Sequence, residues 1–329
     1  MKIVVDAMGG DHAPQAIIAG VIEALKEFDV TVVLVGPQDV IQRELSSHSY
    51  PKEKLEIVHA PEVVDMHEPA ITPIRKKKDS SISIGIQLLK QPGYDAFISA
   101  GNTGAVVAAS TIYLGMLEGV ERPAIGLVIP TLKGISFLID VGANTEPKSE
   151  HLLQSALMAR VYCRRILGID NPSIGLLNIG EESTKGSGFE KEAHKMMEER
   201  VEHFIGNVEA NEVYAGKSDC IVCDGYVGNI VIKVSAGLLE SAGKLVKREV
   251  LKSPLAMLGA FLMKRKLQHI KKLADYSEYG GAPLLGVNGL VMISHGRSSP
   301  KAIKNAIKAT MREVEHQLLS VMSEKIKAQ

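Results

Sequence analysis

The chain has 329 residues, 38 basic and 38 acidic side chains that cancel, and 45% hydrophobic residues with no tryptophan. That length supports a substantial core, and the balanced charge gives no reason to expect nucleic acid as a partner, so any anion has to be met by a local patch. No apolar run approaches the roughly 18 residues that span a bilayer, and Met1-Lys2 lead directly into a strand pattern rather than a secretory leader, so a cytosolic protein is expected.

The first element is the run Ile3-Val4-Val5-Asp6. Its β-branched residues lack polar alternation, which suits a strand covered on both faces. Gly9-Gly10 then break the run and allow a close backbone approach. Asp11, His12 and Pro14 are expected to begin a helix, with Asp11 as a cap. Residues 16–28 have helical spacing, 30–35 form a second strand, and the alternation goes on with a helix at 39–45 and a strand at 55–59. A loop with Pro61, Pro69 and Pro73 follows, then a helix at 81–89, a strand at 95–99, a helix at 103–117 and strands at 124–129 and 135–140. The second half repeats the rhythm, with helices at 150–167 and 189–200, strands at 173–179, 203–205 and 219–223, and a long helix from Val227. Residues 276–289 read as a glycine-rich return loop, 290–293 as a strand, and the chain from Pro300 as a final helix. The expected architecture is one α/β unit over residues 1–329, a mainly parallel sheet flanked by helices.

Successive strands end in similar loops: Ser99-Ala100-Gly101-Asn102-Thr103-Gly104, Asp140-Val141-Gly142-Ala143-Asn144, Asn178-Ile179-Gly180-Glu181, Phe204-Ile205-Gly206-Asn207-Val208-Glu209 and Asp224-Gly225-Tyr226-Val227-Gly228-Asn229. In an open parallel sheet such carboxyl ends share one edge, where ligands bind. Glycine N–H groups, helix N-termini and asparagine amides together describe an anion site, although asparagine and glycine are also ordinary turn residues. The turn Ser294-His295-Gly296-Arg297-Ser298 repeats the theme and forms another wall. No dinucleotide fingerprint, phosphate loop, serine-hydrolase elbow or zincin motif is present.

Three further stretches carry charge or sulfur. Arg75, Lys76, Lys77 and Lys78 precede a serine-capped helix start, a pattern shared by solvated turns and docking sites for phosphate or an acidic protein. Lys185-Gly186 offers a point charge in a mobile loop. Residues 244–273 hold nine Lys or Arg against Glu249, interleaved with Leu255, Leu258, Phe261 and Leu262, and with Lys264 and Lys266 among the cations. Such a basic amphipathic helix fits an anionic membrane surface, and a partner helix in a dimer gives much the same pattern. Ser253-Pro254 mark its start. Cys220 and Cys223 lie three apart in an apolar strand and point to opposite faces, which makes them core cysteines rather than a metal or redox pair.

Six ordered segments resemble the bacterial phosphate acyltransferase (PlsX) family nearly end to end: residues 5–14, 98–105, 140–144, 204–209, 224–229 and 279–286. The resemblance implies a fold akin to phosphotransacetylase and to isocitrate and isopropylmalate dehydrogenases, with a protruding amphipathic helical segment. It implies transfer of a long-chain fatty acyl group from acyl carrier protein to inorganic phosphate, with no cofactor and no metal, giving acyl phosphate for phospholipid synthesis. It also implies a homodimer in peripheral contact with an anionic membrane, where the downstream membrane glycerol-phosphate acyltransferase works. Two loops depart from the family pattern, at Thr145-Glu146-Pro147 and at Ala210-Asn211.

The chemistry agrees. Phosphate is already anionic near neutral pH and a thiolate is a tolerable leaving group, so the site needs mainly to position a dianion and stabilise an oxyanion. Gly9, Gly10, Asn102, Thr103, Gly104, Asn144, Gly186, Asn207, Asp224 and Gly228 are the expected phosphate contacts, with Asn229 and the charge of Lys185. Asp11 and His12 either orient phosphate, protonate the departing thiol or serve as helix caps. Arg75 to Lys78 are the expected carrier-protein docking site, and Leu255, Leu258, Phe261, Leu262, Lys264 and Lys266 the membrane contact. A metal- and nicotinamide-dependent dehydrogenase of related fold lacks its carboxylate cluster here. A non-catalytic membrane-associated binding protein would leave the glycine-asparagine loops without a task.

Overall fold

The computed structural model describes residues 1–266, 278 and 280–327. Eleven strands form one sheet: β1 (Lys2–Asp6), β2 (Thr31–Gly36), β3 (Leu55–His59), β4 (Ala96–Ser99), β5 (Ala124–Thr131), β6 (Gly134–Ile139), β7 (Ile174–Asn178), β8 (Phe204–Glu209), β9 (Cys220–Val222), β10 (Ala282–Leu285) and β11 (Leu290–Ile293). Their spatial order is β3-β2-β1-β4-β11-β10-β5-β6-β9-β7-β8. The segment expected to be a return loop thus contains β10, which pairs antiparallel with both β11 and β5.

The helices follow from the same sequence cues. α1 (Gln15–Glu27), α2 (Gln38–Leu45), α6 (Ser149–Tyr162), α7 (Gly188–Arg200), α10 (Pro300–Glu315) and α11 (Leu318–Lys327) cover one face of the sheet. α3 (Ile71–Lys76), α4 (Ser81–Leu88), α5 (Thr103–Tyr113) and α8 (Gly225–Val250) lie on the other, and α9 (Pro254–Leu262) follows α8. α3 occupies a proline-containing stretch that the sequence alone presents as loop, because Pro73 is tolerated in a helix's first turn. Two starts follow the capping logic: the Ser80 hydroxyl accepts the Ser83 N–H at 3.3 Å, and the Ser253 hydroxyl accepts the Ala256 N–H at 3.3 Å.

Side chains alternate across the sheet as strand geometry demands. Ile3 and Val5 pack on the α1 and α10 side while Val4 packs against α4 and α5. Cys220 joins the layer under α6, where Cys163 also lies, and Cys223 the opposite layer under α8. All three thiols are free and buried, and the pair three apart does not converge.

Strand direction changes across the middle. β3, β2, β1, β4 and β11 run parallel to one another, as do β6, β9, β7 and β8. The antiparallel steps through β10 and β5 reverse one group relative to the other. By hydrogen-bond register, the two groups therefore end on opposite sheet edges, not on the single edge that a uniformly parallel sheet would give.

One buried acid on this scaffold stands away from the loops. Glu313 of α10 is 1% exposed, and the Tyr162 hydroxyl donates to it at 3.2 Å. Burial pushes its pKa from 4.5 up to about 8, with the Tyr162 bond opposing. The unfolded chain ionises this carboxyl near its ordinary value, whereas the folded chain keeps the proton until the raised one. Its contribution to stability is therefore full at acid pH and is lost as pH rises through about 8. The melting temperature should fall between about pH 4.5 and pH 8 and level off above that, and Glu313→Gln should flatten that fall. At pH 9 the variant should melt higher by about 2–4 °C for each kcal/mol recovered, as calorimetry would show.

Candidate active site

Two buried carboxylates hold the turns from which the site is built. Asp6 closes β1 and accepts the Ser99 hydroxyl at 2.7 Å and the Met8 N–H at 3.0 Å. Burial raises its pKa, while hydrogen bonds from Ser99, Ser81, Met8 and Gly9 act against that rise. The Ser99 hydroxyl also accepts the Gly101 N–H at 3.0 Å, tying the ends of β1 and β4 together. Asp140, just past β6, does the same in the other half. One of its oxygens accepts the N–H groups of Ile125, Gly142 and Ala143 at 2.9–3.0 Å, and the other accepts the Asn144 N–H at 2.8 Å. Burial again raises the pKa against these bonds.

Around Asp6, backbone approaches backbone. A Cβ on Gly9 would stand 2.5 Å from the Gly101 nitrogen, and Gly10 has a φ of +102°, a conformation that suits glycine. The Asp11 N–H donates to the Gly296 carbonyl at 2.7 Å, and an Asp11 carboxylate oxygen lies 3.7 Å from Arg297 Nε. Asp11 and His12 do not cap a helix: α1 begins only at Gln15, with Pro14 preceding it and no side-chain cap. Both are exposed in the turn. The Asn102 amide is occupied structurally, donating to the carbonyls of Asp65, Met66 and Glu68 and accepting the Ala105 N–H. What this loop offers an anion is backbone, because the N–H groups of Thr103 and Gly104 at the start of α5 have no acceptor among the described residues.

Around Asp140, the turn is locked to α8. Gly225 donates its N–H to the Asn144 carbonyl at 2.8 Å, and the Asp224 carboxylate caps the N–H groups of Tyr226 and Val227 at 2.9 Å. The α8 N-terminus is thus filled by the protein's own carboxylate. Asn144 gives its amide to the Pro123 carbonyl and to Asp140. A Cβ on Gly228 would sit 1.9 Å from the Asp140 carbonyl oxygen, so Gly228 is a packing residue. Asn229, one position on, has its amide nitrogen 3.5 Å from where a Cβ on Gly142 would stand.

The neighbouring loop carries Lys185 and Gly186. Lys185 is half-exposed with its amino group 3.8 Å from Glu182, and its carbonyl accepts the Asn178 amide. Asn207 lies inside β8 rather than at its end, and its amide supports the loop by donating to the Glu182 carbonyl at 2.8 Å. Gly206 before it has a φ of +87°, where the pairing register with β7 shifts. The glycine-asparagine pair there marks a β-bulge instead of a strand-end loop.

α8 joins the two sets of turns. Val231 and Ile232 face the sheet, and at 3.6 residues per turn Asn229, Lys233 and Glu240 share one flank. That flank looks toward the His295-Arg297 turn: burial pushes the His295 imidazole below its usual pKa, Arg297 and Lys233 push the same way, and Asp11 opposes them. Arg297 in turn helps lower the Glu240 pKa, the larger cause being a hydrogen bond from Lys244. Arg297 thus meets the Asp11 turn directly, and Lys233 adds its charge to the surroundings of His295. The sequence reading took residues 294–298 as a wall without assigning a role, and it missed Lys233, because a lone lysine in a helix carries no local pattern.

The expected docking and membrane residues lie elsewhere on the surface. Lys77 is not free for docking, since its amino group donates to Glu68 at 2.6 Å and to the Val63 carbonyl at 2.8 Å. Arg75, Lys76 and Lys78 remain exposed. Arg75 and Lys76 end α3 and Lys78 follows it, while Ala70, immediately before that helix, lies against Gly104. On α9, Leu255, Leu258, Phe261 and Leu262 are 56–79% exposed, and Lys264 and Lys266 follow in exposed positions. The end of the basic segment, including Leu267, Ile270, Lys271, Lys272 and Leu273, falls outside the described residues. Among those described, no helix is long and apolar enough to cross a membrane, and no cluster of three or more His, Cys, Asp or Glu could hold a metal.

Comparison with known proteins bears on this site. A family model described as "Fatty acid synthesis protein" matches residues 1–321. A phosphate acyltransferase of Alkaliphilus oremlandii is 45% identical over 98% of this chain and 97% of its own length. Another, from Dictyoglomus turgidum, is 47% identical over 96% of this chain and 94% of its own. Among solved structures, a phosphotransacetylase from Streptococcus pyogenes superposes with a TM-score of 0.62 at 16% identity, covering 96% of this chain and 94% of that one. At that identity the likeness concerns the fold.

The steric role of Gly228 is directly testable. Gly228→Ala should push the start of α8 off the Asp140 carbonyl and lower unfolding free energy by about 1–3 kcal/mol, read by urea denaturation, with the activity falling in parallel.

Proposed function

Since the chain belongs to the phosphate acyltransferase family, we propose that it transfers a long-chain fatty acyl group from acyl carrier protein to inorganic phosphate, giving acyl phosphate for phospholipid synthesis. The observation that supports this reading is a pair of glycine-rich turns, each hung on a buried aspartate, one beside the open N–H groups at the start of α5 and the other holding the start of α8. Hydrogen phosphate is the nucleophile. Its oxygen attacks the thioester carbonyl, the C–O bond forms as the C–S bond breaks, and the proton of hydrogen phosphate ends on the departing thiolate. Acyl phosphate and free thiol result, with no change of oxidation state.

The residues divide the work. Backbone N–H groups of the Gly9-Gly10 turn and of Thr103 and Gly104 receive phosphate oxygens, as helix N-termini do. Asn229 donates to the tetrahedral oxyanion. Lys185 supplies charge from the facing loop. In this scheme His295, whose pKa its surroundings lower, and His12 pass the proton from phosphate to sulfur.

Two surfaces extend the reading. Arg75, Lys76 and Lys78 dock the acidic carrier protein one helix away from Thr103, within reach of its flexible thiol arm. α9 presents an apolar surface without a charge of its own between Lys252 and Lys264, which suits shallow insertion among anionic lipid headgroups. A cytoplasmic enzyme so attached would release its poorly soluble product where the membrane glycerol-phosphate acyltransferase uses it. On the side of α8 away from Lys233, Val234, Leu238 and Leu245 are exposed at helical spacing, the pattern for pairing with the same helix of a second copy in a homodimer.

Incubation with palmitoyl-carrier protein should release carrier thiol only when phosphate is added; release at equal rates without phosphate would mark a hydrolase instead. Reversing Arg75, Lys76 and Lys78 to glutamate should raise the apparent KM for the carrier several-fold at low salt, an effect that roughly 0.5 M salt should erase. Leu258→Glu should weaken sedimentation with phosphatidylglycerol vesicles about tenfold or more, given the transfer energy of a buried leucine.

A further inference from the structure

We propose that Asn102 is a positioning residue whose amide holds residues 65–70 as a strap across the anion-binding turns, keeping water from the reacting thioester; this deepens the acyl-transfer reading and rests on it. The Asn102 side chain works in two directions. Its oxygen accepts the Ala105 N–H at 3.0 Å and so caps α5, while its nitrogen donates to the carbonyls of Asp65, Met66 and Glu68 at 3.3, 3.2 and 2.8 Å. An amide has two hydrogens, so at least one of them is shared among three carbonyls that come from a single short loop. A helix cap needs only the oxygen; the nitrogen's bonds all serve the loop. Asn102 itself is buried at the junction.

The strap is pinned at its base as well. Lys77 Nζ donates to the Val63 carbonyl at 2.8 Å and to the Glu68 carboxylate at 2.6 Å, and the same carboxylate oxygen accepts the Asp65 N–H at 2.8 Å. From there it reaches two walls of the site. A Cβ on Gly104 would stand 2.6 Å from the Ala70 Cβ, which sets the strap against the first turn of α5 and its open N–H groups. A Cβ on Gly296 would stand 2.7 Å from Met66 Cε, and the Gly296 carbonyl accepts the Asp11 N–H at 2.7 Å. Met66 thus lays an apolar side chain on the turn that meets Gly10 and Asp11. The three strap carbonyls, which would repel an anion, are engaged by Asn102 instead. Such shielding matters in this reaction, because water competes with phosphate for the thioester.

Asn102→Asp separates the two roles, since a carboxylate still caps α5 but donates nothing to the three carbonyls. In the full-length enzyme this variant should melt within a few degrees of the parent, while amide hydrogen exchange across residues 65–70 speeds up several-fold. With palmitoyl-carrier protein as the acyl donor, thiol release without phosphate should rise several-fold as a share of the release with phosphate, and the phosphate-dependent kcat should fall about tenfold. Lys77→Met frees the base of the strap and leaves the cap intact, so it should shift exchange and hydrolysis in the same direction to a smaller extent. Faster exchange in either variant with a parent-like ratio of hydrolysis to transfer would overturn the assignment, as would unaltered exchange across residues 65–70 in Asn102→Asp. If the parent transfers acyl groups to phosphate from no donor, the acyl-transfer reading fails, and hydrogen exchange still decides whether Asn102 holds the strap.

Discussion

A buried carboxylate surrounded by N–H and O–H donors is the interaction on which the rest of this structure depends, and the chain uses it twice. A lone carboxylate in an apolar layer is costly, and it becomes tolerable when several donors satisfy its lone pairs. Asp6 gathers Ser99, Ser81 and the Met8 and Gly9 N–H groups, and Asp140 gathers Ile125, Gly142, Ala143 and Asn144. Each therefore fixes the path of its turn by hydrogen bonds, beside the apolar packing of Ala7 in one and of Val141 and Ala143 in the other. Gly9 and Gly101 can approach as closely as they do because the Asp6-Ser99-Gly101 chain of hydrogen bonds draws them together. The Asp140 turn in turn receives α8 through the Asn144 carbonyl and the space at Gly228.

With the turns fixed, α8 becomes the element that relates the two halves. Its sheet-facing side packs on Leu138 and Ile221. One flank carries Asn229, which stands by Gly142, and another carries an exposed apolar row. The helix then continues into α9, whose every residue is at least partly exposed. A single 26-residue helix thus carries the proposed chemistry near its start and an exposed apolar surface toward its end. Proposed phosphate binding, pairing of two copies and membrane attachment occupy different sides and lengths of the same element.

Much of this was legible before the structure. The Ile3-Val4-Val5 run, the break at Ser253-Pro254, the serine at the start of α4 and the burial of the cysteines all rest on local rules that tertiary context did not override. The reversal of strand direction was not legible, because it depends on β10 entering between β11 and β5, and a four-residue strand among glycines reads as loop. The roles of asparagine and aspartate at strand ends were only half legible. Asn102, Asn144, Asn207 and Asp224 share the turn chemistry of ligand-binding residues, yet the three amides donate to, and the Asp224 carboxylate accepts from, the protein's own backbone.

The account's central claim is that an anion is held where the Gly9-Gly10, Thr103-Gly104 and His295-Arg297 turns meet. Anomalous scattering from crystals soaked in tungstate, a heavy tetrahedral dianion, tests it most directly. The account predicts one dominant peak within hydrogen-bond distance of the Thr103 and Gly104 nitrogens. A dominant peak elsewhere, with this cleft empty at saturating tungstate, would contradict it.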